Sequence, residues 1–205
     1  MDHLKNHWDK AWSQKDAAQM SWYQQDIQPL VDRIDGLDLP KSAPIIDVGG
    51  GQSPLAVGLL DKGYHDVTVL DISAVALHQY QKALGGQAGK IKWQCGDVCT
   101  SDIAPVMLWH DRAVFHFQTT DAGQKAYVRQ TAKTVMAGGY VLISGFAPNG
   151  PEKCSGLPVC RHDAISVNQL FHAGFDLIDH GKEKHLTPWG SEQKFNWFLL
   201  QRKPG

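Results

Sequence analysis

Ile45-Ile-Asp-Val-Gly-Gly-Gly-Gln-Ser53 is followed by Val67-Thr-Val-Leu-Asp71, which places Asp71 24 positions after Asp47. The first stretch reads as an apolar strand, Ile45 to Val48, that runs into a glycine turn. Ser53-Pro54 then opens a helix, because serine is a good N-cap and proline is tolerated at the first helical position. Leu55, Leu59 and Leu60 supply its buried face, and Gly63 stops it. Val67 to Leu70 forms a second strand that ends in an acid. A strand, a glycine turn, a helix and a second strand closed by an acid make a nucleotide-binding half-site. The glycines let the backbone turn sharply and approach a ligand, which a Cβ prevents. Asp71 stands where it can accept hydrogen bonds from both ribose hydroxyls.

Downstream, strands and helices keep alternating. Ser73 caps a helix carrying Val75, Leu77, Tyr80 and Leu84, and Ile91 to Cys95 is a third strand ending at Gly96-Asp97-Val98. An irregular stretch, 99–109, leads to a fourth strand near Ala113 to Phe117. A helix from Asp121 to Met136 and a Gly138-Gly139 turn precede a fifth strand, Tyr140 to Phe146. The 147–162 segment is too long and too rich in Pro, Gly and Cys for a plain connector. A helix from Ala164 to Gly174 precedes two strands, 175–180 and 195–201, with no helix between them. The pattern is α/β: a Rossmann-like, doubly wound, seven-stranded and mostly parallel sheet with an antiparallel pair at one edge.

Upstream, residues 3–19 read as a polar helix with Leu4, Trp8 and Trp12 on one side, broken at Ser21-Trp22-Tyr23. A second helix is expected from Gln24 to Ile34. Pro40 and Pro44 bracket a linker. The expected organisation is one domain, with a helical N-terminal extension over 1–40 and the binding core over 41–205.

Composition narrows the function classes. A net charge of -1 and the lack of a Lys/Arg stripe argue against a nucleic-acid partner. The start has no signal-peptide core, and no apolar run approaches the roughly 20 residues of a membrane span, so a soluble cytoplasmic protein with no membrane partner is expected. Cys95, Cys99, Cys154 and Cys160 lack zinc-knuckle spacing and the 10 histidines are scattered, so no metal is expected. In a reducing compartment no disulfide is expected either. The sequence leaves the oligomeric state open.

The glycine turn is not a dinucleotide fingerprint. Gly49 and Gly51 fit Gly-x-Gly-x-x-Gly, but Pro54 holds the third position, and no Walker lysine follows. Asp97, at a third strand end beside the same crevice, suits a hydrogen-bond donor such as an adenine amino group. Asp47-Val-Gly-Gly-Gly, Leu70-Asp71-Ile-Ser, Gly96-Asp97-Val and the Gly138-Gly139 turn together resemble the ordered motifs of class I S-adenosylmethionine (SAM) dependent methyltransferases. The resemblance covers residues 42–146, and the terminal antiparallel pair suits the same fold. Within that family the runs Trp109 to Phe117 and Gly150 to Leu157 look like those of a small, poorly characterised bacterial branch, with a more distant similarity to thiopurine and lysine methyltransferases.

Carried over position by position, the resemblance implies a SAM cofactor. Asp47 and the Gly49, Gly50 and Gly51 turn would hold its methionine end. Asp71 would take the ribose hydroxyls, Ile72 would pack on adenine, Asp97 would accept from the adenine amino group, and Val98 would add a backbone contact. The family's common final glycine is replaced by Gln52-Ser53, which bears on how the methionine carboxylate is held. Trp22 and Tyr23 follow a helix that in this fold often covers the cofactor, and an aromatic ring suits a sulfonium. Trp8 and Trp12 read as packing residues.

His116, placed after the fourth strand, is the candidate catalytic base; the plain alternative is a histidine that only packs. Arg112 reads as a structural ion-pair partner rather than a substrate clamp. Cys154, and the His185, Thr187, Trp189 and Gln193 loop, are further candidates for a substrate pocket. The expected activity is transfer of the SAM methyl to a small-molecule acceptor: a thiol, an amine, a carboxylate or a soft element. A protein lysine is an alternative acceptor, and a non-catalytic SAM- or nucleotide-binding module is an alternative role. An NAD-dependent oxidoreductase is a third reading, against which Pro54 argues. No Asn-Pro-Pro-Tyr-type motif follows the fourth strand, which disfavours amide or adenine amino methylation.

Overall fold

The computed structural model describes residues 2–14, 16–24 and 26–205. Nine strands and six helices are taken here in chain order: α1 (Asp2–Gln14), α2 (Gln28–Asp35), β1 (Ile45–Val48), α3 (Leu55–Asp61), β2 (Val67–Asp71), α4 (Ala74–Leu84), β3 (Lys92–Cys95), β4 (Val106–Arg112), α5 (Asp121–Thr134), β5 (Val135–Phe146), β6 (Lys153–Cys154), β7 (Leu157–Pro158), α6 (Ala164–Phe171), β8 (Phe175–Leu186) and β9 (Glu192–Arg202). Seven strands form one sheet in the order β3-β2-β1-β4-β5-β9-β8. All neighbours are parallel except β9, which runs antiparallel to both β5 and β8. The chain reverses its direction of travel between β1 and β4, and open α/β sheets bind ligands outside the strand ends at such a point.

Strand alternation divides the core between the two faces. Ile46, Val48 and Trp109 pack with Tyr127 of α5 and Val167 and Phe171 of α6. Ile45, Val69 and Leu108 pack with Val31 and Ile34 of α2 and Leu55 and Leu59 of α3. Because both faces are covered, β1 is buried along its whole length, and it therefore reads as a continuous apolar run broken only by Asp47.

The principal departure from expectation concerns the fourth strand. It spans Val106–Arg112, beginning inside the 99–109 stretch expected to be irregular, and the expected strand at Ala113 to Phe117 is instead a turn ending in a short 3-10 helix. His110 and Asp111 disguise the strand, because each is a buried polar residue that relies on a side chain distant in sequence. Register places His110 beside Asp47 of β1, and Tyr127 of α5 donates its hydroxyl to Asp111. Asp111 also accepts from the backbone N–H groups of Val114 and Phe115 at 2.8 and 2.9 Å, which closes the turn.

The terminal strands are longer than expected, 175–186 and 192–202. The segment holding His185 and Gln193 is therefore strand, with the two residues paired across the ladder. The N-terminal α-helix ends at Gln14 and a short 3-10 turn covers Ala17–Gln19; the expected 3–19 helix also crosses Lys15, which lies outside the described residues. The second helix starts at Gln28, with Pro29 in its first turn, rather than at Gln24; Gln25 lies outside the described residues. Ser73 caps α4 as expected, accepting from Ala76 N–H at 3.2 Å. Pro54, not Ser53, occupies the N-cap of α3. No helix among the described residues is long and apolar enough to cross a membrane.

Candidate functional site

The carboxyl ends of β1 to β4 open onto one apolar cleft with about 870 Å³ of empty space out to its mouth, and a smaller annex continues past the glycine turn. Trp12, Trp22, Val48, Gly49 and Arg112 border both spaces. The turn needs its glycines. Gly49 and Gly51 have φ of 66° and 48°, and a Cβ on Gly49 would lie 2.1 Å from Val114 Cγ2. A Cβ on Gly50 would lie 2.7 Å from Asp47 Oδ2. The turn therefore passes close over the Asp47 carboxylate.

Asp47 and His110 sit side by side in the β1–β4 register and on the same face, and their Oδ1 and Nδ1 are 2.7 Å apart. A carboxylate only accepts, so the pair sets the His110 hydrogen on Nδ1. Asp47 Oδ2 is buried and has no hydrogen-bond partner among the described residues, although Asp47 borders the annex. An acceptor buried without a donor is costly, and an ammonium in the annex would relieve that cost.

Asp71 lies on the cleft wall between the glycine turn and Ile72. Its Oδ1 accepts from Ser73 N–H at 2.7 Å, and Gly51 N–H also donates to the carboxylate. Burial pushes its pKa up to about 7, against the pull of those two N–H groups. Gly96, Asp97 and Val98 form the next part of the same wall. Asp97 Oδ1 accepts from Cys99 N–H at 2.7 Å, which fixes its side chain at the β3 end. Trp22, Asp47, Gly49, Gly50, Asp71, Ile72, Asp97 and Val98 are thus brought together around the cleft and its annex, whereas Gly51 borders neither and supports the site through its N–H to Asp71.

An aromatic cover closes the cleft from the N-terminal side. Trp8 meets Trp22 and Phe117 edge-on at 5.5 and 5.3 Å between ring centres, and Trp12 meets Trp22 at 5.9 Å. Trp8 and Trp12 are expected from the sequence to be packing residues. They pack and also line the cleft, a double role signalled by their i, i+4 spacing on a helix ahead of the site. The helix is tied down by Ser73 Oγ, which donates to Asp9 Oδ1 at 2.7 Å, and by Gln79 Nε2, which donates to the Trp12 carbonyl at 3.3 Å.

His116 does not reach the cleft. It follows the fourth strand, but its ring is 2% exposed and packs against Phe117 and Phe146, and neither ring nitrogen has a partner among the described residues. Burial, with Arg112 adding to it, pushes its pKa down to about 3. Its neighbours Ala113, Val114, Phe117 and Gln118 line the cleft instead. Ala113 adopts φ 69°, outside the usual range for a residue with a Cβ. That turn sends the chain away from β4 and leaves Arg112 facing inward.

Cys154 is buried on the cleft wall, and burial pushes its thiol up to about 12. Such a thiol stays protonated and is a poor nucleophile. His185 is buried too, and its Nε2–H donates to the Ser21 carbonyl at 2.6 Å, so it holds the segment before Trp22 rather than facing the cleft. Trp189 points to solvent. Arg112, expected to be a plain ion-pair partner, borders both cleft and annex. No group of three or more potential metal ligands occurs among the described residues.

No protein-family model matches the chain. No curated protein matches it either. Solved structures do. A protein studied for the conversion of a disulfide bond into a thioacetal group during echinomycin biosynthesis superimposes with a TM-score of 0.78 at 16% identity, over 97% of this chain and 93% of its own. A SAM-dependent methyltransferase from Anabaena variabilis gives 0.73 at 14% identity, over 98% and 94%. The Burkholderia thailandensis 1,6-didemethyltoxoflavin-N1-methyltransferase, solved with 1,6-didemethyltoxoflavin and S-adenosylhomocysteine bound, gives 0.67 at 17% identity, over 99% and 86%. At such identities the likeness establishes the fold, and the chain has the class I SAM-dependent methyltransferase fold.

Proposed function

We propose that the chain binds SAM across the cleft and annex and transfers its methyl group to a small molecule. One observation carries the reading: of three acids from successive strand ends, Asp71 and Asp97 line the apolar cleft and Asp47 lines the annex that continues from it past the glycine turn. The residues fit the cofactor chemically. Asp47 Oδ2 lacks a donor and would accept from the methionine ammonium. Asp71 would accept from the ribose hydroxyls, and Asp97 from the adenine amino group. Ile72 would pack on the base, Val98 would add a backbone contact, and Trp22 would face the sulfonium. The names of two solved neighbours describe a glycopeptide N-methyltransferase and a 1,6-didemethyltoxoflavin-N1-methyltransferase, which supports methyl transfer here.

When bound, SAM supplies a methyl group activated by its sulfonium. The chain then has to bind, align and exclude water, because charge is dispersed rather than created in the transfer. The aromatic cover excludes water from the cleft. The proposal gives His116 no proton to carry, since its ring lies outside the cleft lining and burial makes it a very weak base. The acceptor is therefore one that reaches the cleft already deprotonated or loses its proton to solvent.

Calorimetry with SAM and S-adenosylhomocysteine tests the reading. Wild-type protein is expected to bind both. Asp71→Ala is expected to lose about 100-fold or more in affinity, the equivalent of two hydrogen bonds to a charged acceptor, with the circular dichroism unchanged. Unaltered affinity in a folded Asp71→Ala protein would remove the ribose assignment, and absence of binding by wild type would remove the function.

A further inference from the structure

Arg112 ends β4 where the cleft and annex meet, and its side chain is 10% exposed. Burying a guanidinium is costly unless its donors are satisfied. Nη1 donates to the Trp22 carbonyl at 3.1 Å. Nη2 lies 3.6 Å from Glu183 Oε1, within ion-pair range but too far for a hydrogen bond. Nε and Nη2 have no hydrogen-bond partner among the described residues. These two nitrogens form one side of the guanidinium, whose parallel N–H groups match the two oxygens of a carboxylate. The plane of the group rests over the Phe195 ring at 4.6 Å, which limits its rotation.

The surroundings leave this edge as the feature that sorts ligands. Among the described residues lining the cleft, Arg112 is the only lysine or arginine. The wall next to it is apolar: Trp22, Ala113, Phe117 and the protonated thiol of Cys154. A methionine carboxylate has another donor in the annex, the Ser53 hydroxyl, whereas the Gly49 and Gly50 N–H groups are taken by the Leu70 carbonyl and that of Gly51 by Asp71. An anion on the Phe117–Cys154 side has Arg112 as its only lysine or arginine among the described lining residues, with the Gln118 amide nearby.

We infer that the methyl acceptor is a small molecule with an apolar body and a carboxylate, and that the Nε/Nη2 edge of Arg112 holds the carboxylate. The inference rests on the function proposed above and names the substrate class for the same cleft. The carboxylate serves as the anchor, and the methyl goes to another atom of the acceptor. Glu183 is the competing carboxylate that lies near Nη2 in the unliganded protein.

Benzoate and phenylacetate, each paired with its primary amide, are titrated into the protein saturated with S-adenosylhomocysteine, with binding followed by calorimetry and by quenching of tryptophan fluorescence. At least one acid is expected to bind roughly tenfold or more tightly than its amide, the worth of one charged bidentate contact. Arg112→Met is expected to erase that preference while keeping S-adenosylhomocysteine affinity within about threefold of wild type. Acids that bind no better than amides, or a preference that survives in Arg112→Met, would overturn the inference. A loss of about tenfold or more in S-adenosylhomocysteine affinity in Arg112→Met would assign the guanidinium to the cofactor's own carboxylate and overturn it equally. If Arg112→Met does not fold, Glu183→Gln decides. Removing the competing carboxylate is expected to raise acid affinity about threefold or more, and no gain would refute the role. Absence of S-adenosylhomocysteine binding by wild type would instead count against the proposed function.

Discussion

Asp71 is a carboxylate in a buried wall, and its pKa of about 7 expresses a conflict between desolvation and two backbone donors. Ribose hydroxyls would add donors to the charged form and pull the pKa down on binding. Binding therefore releases a proton wherever the free protein carries one there. By linkage, S-adenosylhomocysteine affinity is expected to rise as pH increases from about 5.5 to about 7, by at most about tenfold per unit, and to level off above. Calorimetry in buffers of different ionisation enthalpy would report the proton release directly. A flat profile over that window, with the cofactor still bound, would mean that the hydroxyls do not meet Asp71. Its place at a strand end after a glycine turn was legible in the residue order, because two strands and a helix fix where the acid emerges. Its pKa was not, because burial is set by Ile72, Gly51 and the aromatic cover together. Arg112 does pair with an acid, Glu183, at 3.6 Å, as the sequence leads one to expect, but the partner and the remaining contacts are not local. From the sequence it is one charge beside an acid, and only the turn at Ala113 and the length of β8 show which of its nitrogens are satisfied.

At the scale of elements, α1 is the cover of the cleft and Asp9 is its main polar tie. Asp9 accepts from the Ser73 hydroxyl, which itself caps α4, and the Lys5 ammonium pairs with it at 2.6 Å. Trp12 lies so close over the turn that a Cβ on Gly51 would be 2.9 Å from its ring. Asp9→Ala is expected to leave the sheet intact, costing about 1 kcal/mol of global stability. It is also expected to speed hydrogen exchange across 2–14 and to shorten the residence time of S-adenosylhomocysteine. Exchange in α1 indistinguishable from wild type would show that the aromatic contacts alone hold the helix. The helical periodicity of Leu4, Trp8 and Trp12 made the element readable, whereas its docking partner 64 residues away was not. The fourth strand was the reverse case. Its existence follows from alternation, but His110 and Asp111 masked its position, since the partners that make them tolerable lie 63 and 16 residues away.

For the whole molecule, buried acids and a buried histidine pull stability in opposite directions with pH. Burial raises Asp71 to about 7 and Asp111 to about 6. Their stabilising contribution is present below the ordinary carboxylate range and is lost as pH rises through those values. Burial lowers His116 to about 3. Its contribution is complete above the unfolded value of about 6.5 and is lost as pH falls below it. His116→Leu removes only the second arm. Relative to wild type, the variant is expected to gain about 1.3 kcal/mol between about pH 7.5 and about pH 5.5, read from urea midpoints. It is also expected to keep its affinity for S-adenosylhomocysteine. A gain below about 0.3 kcal/mol would show that the ring is not buried neutral, and loss of methyl transfer with cofactor affinity kept would restore it as the base. The sequence by itself determined the α/β order of elements, the glycine turn and the three strand-end acids, because alternation, capping and turn chemistry act over a few residues. Only the tertiary structure decided which groups share the cleft. Contacts such as Asp47 with His110, Trp12 with Gly51 and Arg112 with Trp22 depend on sheet register and helix docking, which no local pattern encodes.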